Sequence, residues 1–365
     1  MTSAILLQPG VQAAAATAAH SCPAHITYGE AGTVGLIQGL SELFPISSLG
    51  HNVLIPALVG GCWAQNLNVA SSESPYLAFI VGLHVATAAA MIIYFRRDWA
   101  RIIRGFFTSL EHLLRPAPGT SRWEMRNADE KLAWIIIIAT IPVGITGALG
   151  EHTFRVVFGH AIWAAVFLMA NGLILLAAEH YYRTRPPASG SAAGAPDKVI
   201  VPELVAVGGG QEAARPATGH QAVRNQEIAQ AIATDQRLAD EGYWRGTVIG
   251  SFQILALLAG ISRDGMVMAG GMFRGLTRQD AARFSFLLSA PVIAAAGVYK
   301  LPDLLGPKGA GIGGQTLFAS VLAGVAGYLA LRFLVRYLRT RTLTVFAIYS
   351  LLLGLGSVIY LELIK

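Results

Sequence analysis

Long apolar runs alternate with short clusters of charge along the chain. Six runs are nearly continuous: Tyr76 to Phe95, Leu132 to Leu149, Ala161 to Tyr181, Phe284 to Val298, Leu317 to Tyr337 and Leu343 to Leu363. Most approach or reach the ~20 residues that a helix needs to cross a ~30 Å hydrocarbon layer, and with little period-two alternation they read as helices. Two further apolar segments, Val34 to Leu58 and Val248 to Phe273, are broken by Gly, Pro, Ser and charge. Neither is a plain span.

Basic residues set the expected orientation. Arg96, Arg97, Arg101, Arg104, Arg115, Arg122, Arg126 and Lys131 crowd one connection, Arg183 and Arg185 open another, and Arg332, Arg336, Arg339 and Arg341 mark a third. The connections from Gly150 to His160 and from Lys300 to Gly314 carry few. The positive-inside rule makes the crowded connections cytoplasmic and the sparse ones external. The stretch before Tyr76 is then external, so the first broken segment either re-enters on its own side or follows a span that hydropathy does not reveal.

Composition agrees. Of 365 residues 54% are hydrophobic and 13% charged, and mean hydropathy is +0.53, whereas a soluble domain carries roughly a quarter charged residues. The net charge of +6 does not point to nucleic acid, because the basic residues flank apolar segments. Cys22 and Cys62 either pair or stay free, and neither has metal-ligand spacing. The first twenty residues lack a basic start and a clear apolar core, so insertion is expected to rely on internal spans. Residues 183–241 are polar and rich in Ala, Gly and Pro, the composition of a mobile cytoplasmic linker, in which Asn225 to Asp240 suits a surface helix.

The two broken segments align without gaps. GLIQGLSELFPISSLG (Gly35 to Gly50) lies over GSFQILALLAGISRDG (Gly250 to Gly265) at a constant offset, with Gly35/Gly250, Gln38/Gln253, Ser47/Ser262 and Gly50/Gly265 among the shared columns. The second copy follows a cytoplasmic connection and the first precedes an apolar helix that starts outside, so the copies are expected to be inverted. The fold class expected is an all-α polytopic membrane protein with about six full spans and two re-entrant helical hairpins forming an inverted repeat. The simpler alternative is that Gly-Ser breaks only kink ordinary packed helices. The chain divides into an N-terminal extension (1–26), a first membrane half (27–182), the polar connection (183–241) and a second membrane half (242–365).

Polar residues gather at the breaks. Gln38 and Glu42 are four apart and share a helical face; Pro45 then ends that helix before Ser47, Ser48 and His51. A carboxylate in lipid is costly and should face a cavity, a cation or a donor. A serine and a histidine near a carboxylate have the logic of an activated nucleophile. The second break offers Ser262, Arg263 and Asp264 between Gly260 and Gly265, a turn whose backbone and guanidinium suit phosphate oxygens. Alternatively, Arg263 pairs internally with Asp264 or Glu42. His84, within a span, is read as a core histidine rather than a site residue.

On these residues the chain resembles the bacitracin-resistance family of undecaprenyl-diphosphate phosphatases. That family carries (E/Q)xxxE running into PxSSxGH and a second motif PGxSRSxxT; here they read QGLSELFPISSLGH from Gln38 to His51 and AGISRDGMV from Ala259 to Val267. The resemblance implies hydrolysis of a polyprenyl diphosphate in a bacterial inner membrane, at a site opening to the extracytoplasmic side. It implies Glu42, Ser48, His51 and Arg263 as catalytic residues, with Glu42 also facing a divalent cation, Mg²⁺ or Ca²⁺, and with Gln38, Ser47, Gly260, Ser262 and Gly265 lining the substrate site. Asp264, Val267 and Ala259 depart from the motif, and Asp264 is expected to bring negative charge toward the phosphate. A polyprenyl-phosphate flippase and a weakened paralogue are the competing readings, and the oligomeric state is left open, a homodimer included.

Overall fold

The computed structural model describes residues 22–23, 25–69, 75–115, 125–185 and 219–363. The expected extension and most of the polar connection, at 1–21 and 186–218, lie outside the described residues. All regular elements among the described residues are helical: α1 Tyr28–Leu43, α2 Ser48–Val59, α3 Gly61–Asn66, α4 Pro75–Tyr94, α5 Arg96–Leu114, α6 Ala128–Phe158 and α7 Ala161–Thr184. There follow α8 Gly219–Asp240, α9 Gly242–Ser251 leading into a 3₁₀ turn Phe252–Leu257, α10 Arg263–Phe273, α11 Arg278–Leu305, α12 Gly313–Tyr337 and α13 Thr344–Leu363.

Among the described residues six helices are long and apolar enough to cross a membrane: α4, α6 over Ala128–Gly150, α7, α11, α12 and α13. These are the six spans expected from hydropathy, and the protein is a multi-pass membrane protein. The two broken segments form short helix pairs, α1 with α2 and α9 with α10, an arrangement compatible with two re-entrant hairpins.

Packing repeats across the two halves. Helix α1 lies along α12, and α9 lies along α6, while α4 pairs with α11 and α7 with α13. Lipid gives helices no hydrophobic reason to associate, so close backbone approach over small residues does much of the work. The matched glycines of the repeat supply it. A Cβ on Gly35 would sit 2.5 Å from the Ala319 carbonyl oxygen, and one on Gly250 would sit 2.5 Å from that of Ala139. The α7–α13 crossing is reciprocal, with Gly172 against the Ala347 carbonyl and Gly354 against that of Ala165, each at 2.7 Å from an added Cβ.

Polar clasps close both ends of the bundle. Cys22 and Cys62 form a disulfide, tying the chain just before α1 to α3 and so closing the first helix pair into a loop. At the other end, Asp235 of α8 is buried and accepts from Arg283 at 2.7 and 2.9 Å and from Arg101 at 2.6 Å. Arg237 forks onto Asp280 at 2.9 and 2.7 Å. The expected helix over Asn225 to Asp240 thus begins earlier, at Gly219, and is not a loose surface element: buried charge pairs fasten it to α5 and α11.

Candidate active site

Each break is set by a serine cap. Ser47 stands at φ 68°, the one left-handed residue other than glycine among those described, a costly conformation for a side chain with a Cβ. Its Oγ accepts from the Gly50 N–H at 3.2 Å and so starts α2. Ser262 does the same for α10 through the Gly265 N–H at 3.1 Å. The two caps come together at close quarters. A Cβ on Gly50 would lie 2.9 Å from the Gly260 Cα, and one on Gly265 would lie 3.1 Å from the Pro45 Cβ. Asn171 of α7, fully buried, clasps both breaks: its Nδ2 donates to the Pro45 carbonyl at 2.9 Å and its Oδ1 accepts from the Ser262 N–H at 3.0 Å.

At this junction the polar residues form one hydrogen-bonded chain. Asn52 Nδ2 donates to Gln38 Oε1 at 2.6 Å, and Gln38 Nε2 donates to Glu42 Oε2 at 2.8 Å. Ser48 Oγ donates to the same carboxylate oxygen, and Arg263 Nη2 donates to Glu42 Oε1. His84 Nε2 lies 3.4 Å from Glu42 Oε2. Glu42 is therefore the hub, buried and compensated by three donors, Gln38, Ser48 and Arg263, from three helices, with the His84 ring beside it from a fourth. Arg263 does pair with Glu42, yet its Nε, equally buried, has no acceptor. A guanidinium N–H left without a partner inside a membrane protein is a place for an anionic oxygen.

His51 is turned elsewhere. Its Nδ1 is 2.7 Å from the Ser47 carbonyl oxygen and therefore donates, leaving Nε2 to accept from the Tyr349 hydroxyl at 2.8 Å. The two rings are parallel, with centroids 5.7 Å apart. The hydroxyl of Ser48 thus rests on Glu42 rather than on His51.

Two expectations need correction. His84 is no plain core histidine: its ring reaches Glu42 from α4, a meeting between helices that spacing along one helix does not reveal. Asp264 makes no hydrogen bond to the junction: it follows Arg263 by one residue, about 100° around the helix, its Oδ1 accepts from Ser285 at 2.7 Å and from Ser289, both on α11, and its Oδ2 is buried without a hydrogen-bond partner. Val267 and Ala259 are buried among apolar neighbours. The backbone of Gly260, Gly265 and Ser47 goes chiefly into the tip contact and the caps. Of the sequence-selected residues, Gln38, Glu42, Ser48 and Arg263 share one network. Asn52, Asn171 and Tyr349 join the site unforeseen, and of these Asn171 carried a signal, an amide inside an otherwise apolar span.

The cation implied by the resemblance finds one carboxylate here, with both oxygens already facing donors, and no group of three or more His, Cys, Asp or Glu side chains able to hold a metal among the described residues. Hard cations take several oxygen ligands. The donor set fits an arginine and not a metal held by the protein.

Residues 31–356 match the family model described as bacitracin resistance protein BacA. The chain belongs to this family. It is 49% identical over 340 residues to a protein named undecaprenyl-diphosphatase from Mycolicibacterium paratuberculosis (strain ATCC BAA-968 / K-10), covering 93% of this chain and 99% of that one. It is 48% identical over 347 residues to undecaprenyl-diphosphatase 2 of Frankia alni, covering 90% and 96%. A third relative, undecaprenyl-diphosphatase 2 of Burkholderia ambifaria, is 34% identical over 322 residues, covering 88% and 92%. Full-length similarity to BacA-family phosphatases favours an enzyme over a flippase.

Proposed function

We propose that the chain hydrolyses undecaprenyl diphosphate, or a close polyprenyl diphosphate, to the monophosphate and inorganic phosphate, at the junction of two re-entrant hairpins. One observation carries the site assignment: a buried Arg263 N–H without an acceptor stands beside a serine hydroxyl already donating to a carboxylate. The relatives' names supply the substrate class.

Phosphoryl transfer asks for positioning and charge neutralisation more than for covalent machinery. With the terminal phosphate on Arg263, Ser48 Oγ attacks its phosphorus, the Ser48 proton passes to Glu42 Oε2, and the bridging P–O bond breaks to release the polyprenyl phosphate. Water then cleaves the phosphoserine, releasing inorganic phosphate and restoring the hydroxyl. Gln38 and His84 hold Glu42 in place, and the N-termini of α2 and α10 converge on the same spot, adding favourable potential for an anion. His51 serves the second step as proton acceptor from water once Tyr349 yields its Nε2. A divalent cation, Mg²⁺ or Ca²⁺, belongs on this reading to the diphosphate rather than to the protein, and no step depends on it.

The protein resides in the bacterial inner membrane with the site reached from outside the cytoplasm. The disulfide supports this orientation, since such bonds persist in oxidising compartments, and so does the gathering of arginines at the opposite end. The test is phosphate release by the purified protein in detergent. Ser48→Ala and Arg263→Ala should each lose activity by about 10² to 10³-fold or more while still inserting; wild-type turnover in Arg263→Ala would remove the phosphate clamp and this mechanism with it.

A further inference from the structure

The hydrogen bonds that fasten α5 to the chain around α6 all end between Arg126 and Trp134. Arg101 donates to Asp129 at 3.3 Å and Thr108 to Glu130 at 3.2 Å, Ser109 accepts from Trp134 Nε1 at 2.9 Å, and Arg126 Nη2 lies 2.8 Å from His112 Nδ1. Gly105 presses on the same backbone, where an added Cβ would sit 2.8 Å from the Asp129 carbonyl carbon. From Arg101 to His112 the helix advances about 16 Å while staying on the first two turns of its neighbour, so α5 crosses the end of α6 steeply. The apolar span of α4 ends at Tyr94 and that of α6 begins at Ala128, which puts the crossing at the level where spans leave the hydrocarbon.

The side of α5 turned away from α6 carries two strips. Ile103, Phe107, Leu110 and Leu114 recur at helical spacing, and Ile103, Phe107 and Leu114 are 50%, 61% and 72% exposed. Arg97, Arg104 and Arg115 are separated by whole turns and stand about 90° around the helix from that stripe. All three are exposed, with Glu111 the one exposed acid on the helix, and none has an ion pair among the described residues. Arg101 and Asp98, on the inward side, are instead paired with Asp129, Asp235 and Arg283. We infer that α5 lies flat in the cytoplasmic headgroup layer, its apolar stripe among acyl chains and its arginine row on the headgroups of anionic phospholipid. The inference is independent of the phosphatase reading. Depth selects lipid over a protein partner, because a face at the mouth of two spans meets lipid first, and the unpaired arginines select an anionic headgroup over a neutral one.

Both native cysteines are in the disulfide, so Phe107→Cys carries a single reactive thiol for a nitrobenzoxadiazole dye. The labelled protein in phosphatidylcholine vesicles is quenched with a small fraction of spin-labelled phosphatidylglycerol or, separately, of spin-labelled phosphatidylcholine. An arginine near the surface enriches an anionic headgroup about fivefold, so at low salt the first lipid should quench about fivefold more than the second. The ratio should fall toward one in ~1 M salt, where charges are screened within about 3 Å. Arg97→Gln, Arg104→Gln and Arg115→Gln together should also bring it near one while leaving quenching by phosphatidylcholine unchanged. A dye on Leu317→Cys, 68% exposed at the opposite end of the bundle, should give a ratio near one throughout. Absence of quenching by either lipid would show that the stripe meets water or protein, and equal quenching would show lipid contact without recognition. Either result overturns the inference, as does a ratio that survives salt or the three substitutions, or one equally high at Leu317. The salt series uses the native arginines, so it decides the matter even where the triple variant does not insert.

Discussion

Replacing Asn171 with leucine keeps the size of the side chain and removes the clasp between the two breaks. Two backbone groups lose their partners, the Pro45 carbonyl and the Ser262 N–H, together with a weaker 3.3 Å bond to Ser350 Oγ. Side-chain hydrogen bonds between membrane helices average only about 0.6 kcal/mol, because unfolded spans find other partners. That figure does not carry over here. Both groups lie in broken backbone, outside the helical ladders, with no other hydrogen bond among the described residues. Orphaning a buried polar group costs about 1–3 kcal/mol, so the pair should cost about 2–6 kcal/mol, a fall in thermal midpoint of roughly 3–8 °C for a chain this long. Activity should suffer more than stability. The clasp sets Ser262, hence Arg263, against the turn that holds Ser48, and a misplacement of about 1 Å costs about 100-fold in turnover. Thermal unfolding in detergent and phosphate release from undecaprenyl diphosphate read the two effects separately. Ser350→Ala, which removes only the long bond, should change both little. Turnover and midpoint in Asn171→Leu equal to those of the unmodified protein would refute the idea that this amide aligns the two half-sites.

The remaining expectations follow from the same contacts. Arg263→Lys keeps the charge but loses the Nε donor and the planar fork, so phosphate release should fall about 100-fold; full activity would mean that charge alone suffices. Asp264→Ser should leave kcat/KM within about threefold, because the carboxylate is hydrogen-bonded to Ser285 and Ser289 rather than to the junction and surroundings that already hold a carboxyl by hydrogen bonds accept a hydroxyl at modest cost; a tenfold gain or loss would place its charge in the site after all. Asp235→Ala leaves Arg283 with Asp98 alone, and Arg101 with Asp98 and Asp129, and should destabilise by about 1–3 kcal/mol, seen as a lower midpoint and easier proteolysis near α8; an unchanged midpoint would make the clasp ornamental. Removing the disulfide with Cys22→Ser and Cys62→Ser, separated by 40 residues, should cost about 4 kcal/mol, and a reductant should lower the midpoint of the native protein but not of this variant.

Hydropathy finds what lipid selects, and that is why six spans were readable and their ends less so. The run from Phe284 to Val298 belongs to a helix that starts at Arg278, because Thr277 caps it and Arg278 and Arg283 are paired with Glu179 and Asp235; charges that neutralise one another across helices look like a boundary when only one strip of sequence is in view. The turn motifs were readable for a different reason. Ser, Gly and Pro at a break are local instructions, needing no partner to specify a cap or a stop. What sequence could not give was the third dimension. His84 has nothing in α4 to mark it for Glu42, and Asp264, adjacent to the clamp in sequence, is turned away from it by one step of the helix. Ser285 and Ser289 carry no signal at all until α11 is laid against α10.

The repeat explains why some residues at the junction stand out in the sequence and others do not. Columns in which the two copies agree hold the architecture: Gly35 and Gly250 admit a neighbouring carbonyl, Ser47 and Ser262 cap, and Gly50 and Gly265 supply the capped N–H. Columns in which they differ hold the chemistry. At the first position of each capped helix one copy has Ser48 and the other Arg263, so pseudo-symmetry sets a hydroxyl and a guanidinium on opposite sides of Glu42. Glu42 has only Leu257 as its counterpart, and Gln253, counterpart of Gln38, is buried with neither amide atom partnered. A symmetric pair of carboxylates at this junction would repel each other and the phosphate alike. Asymmetry at the junction is thus what lets two copies of one capped turn bring a carboxylate, a hydroxyl and a guanidinium together, the set that the proposed phosphoryl transfer requires.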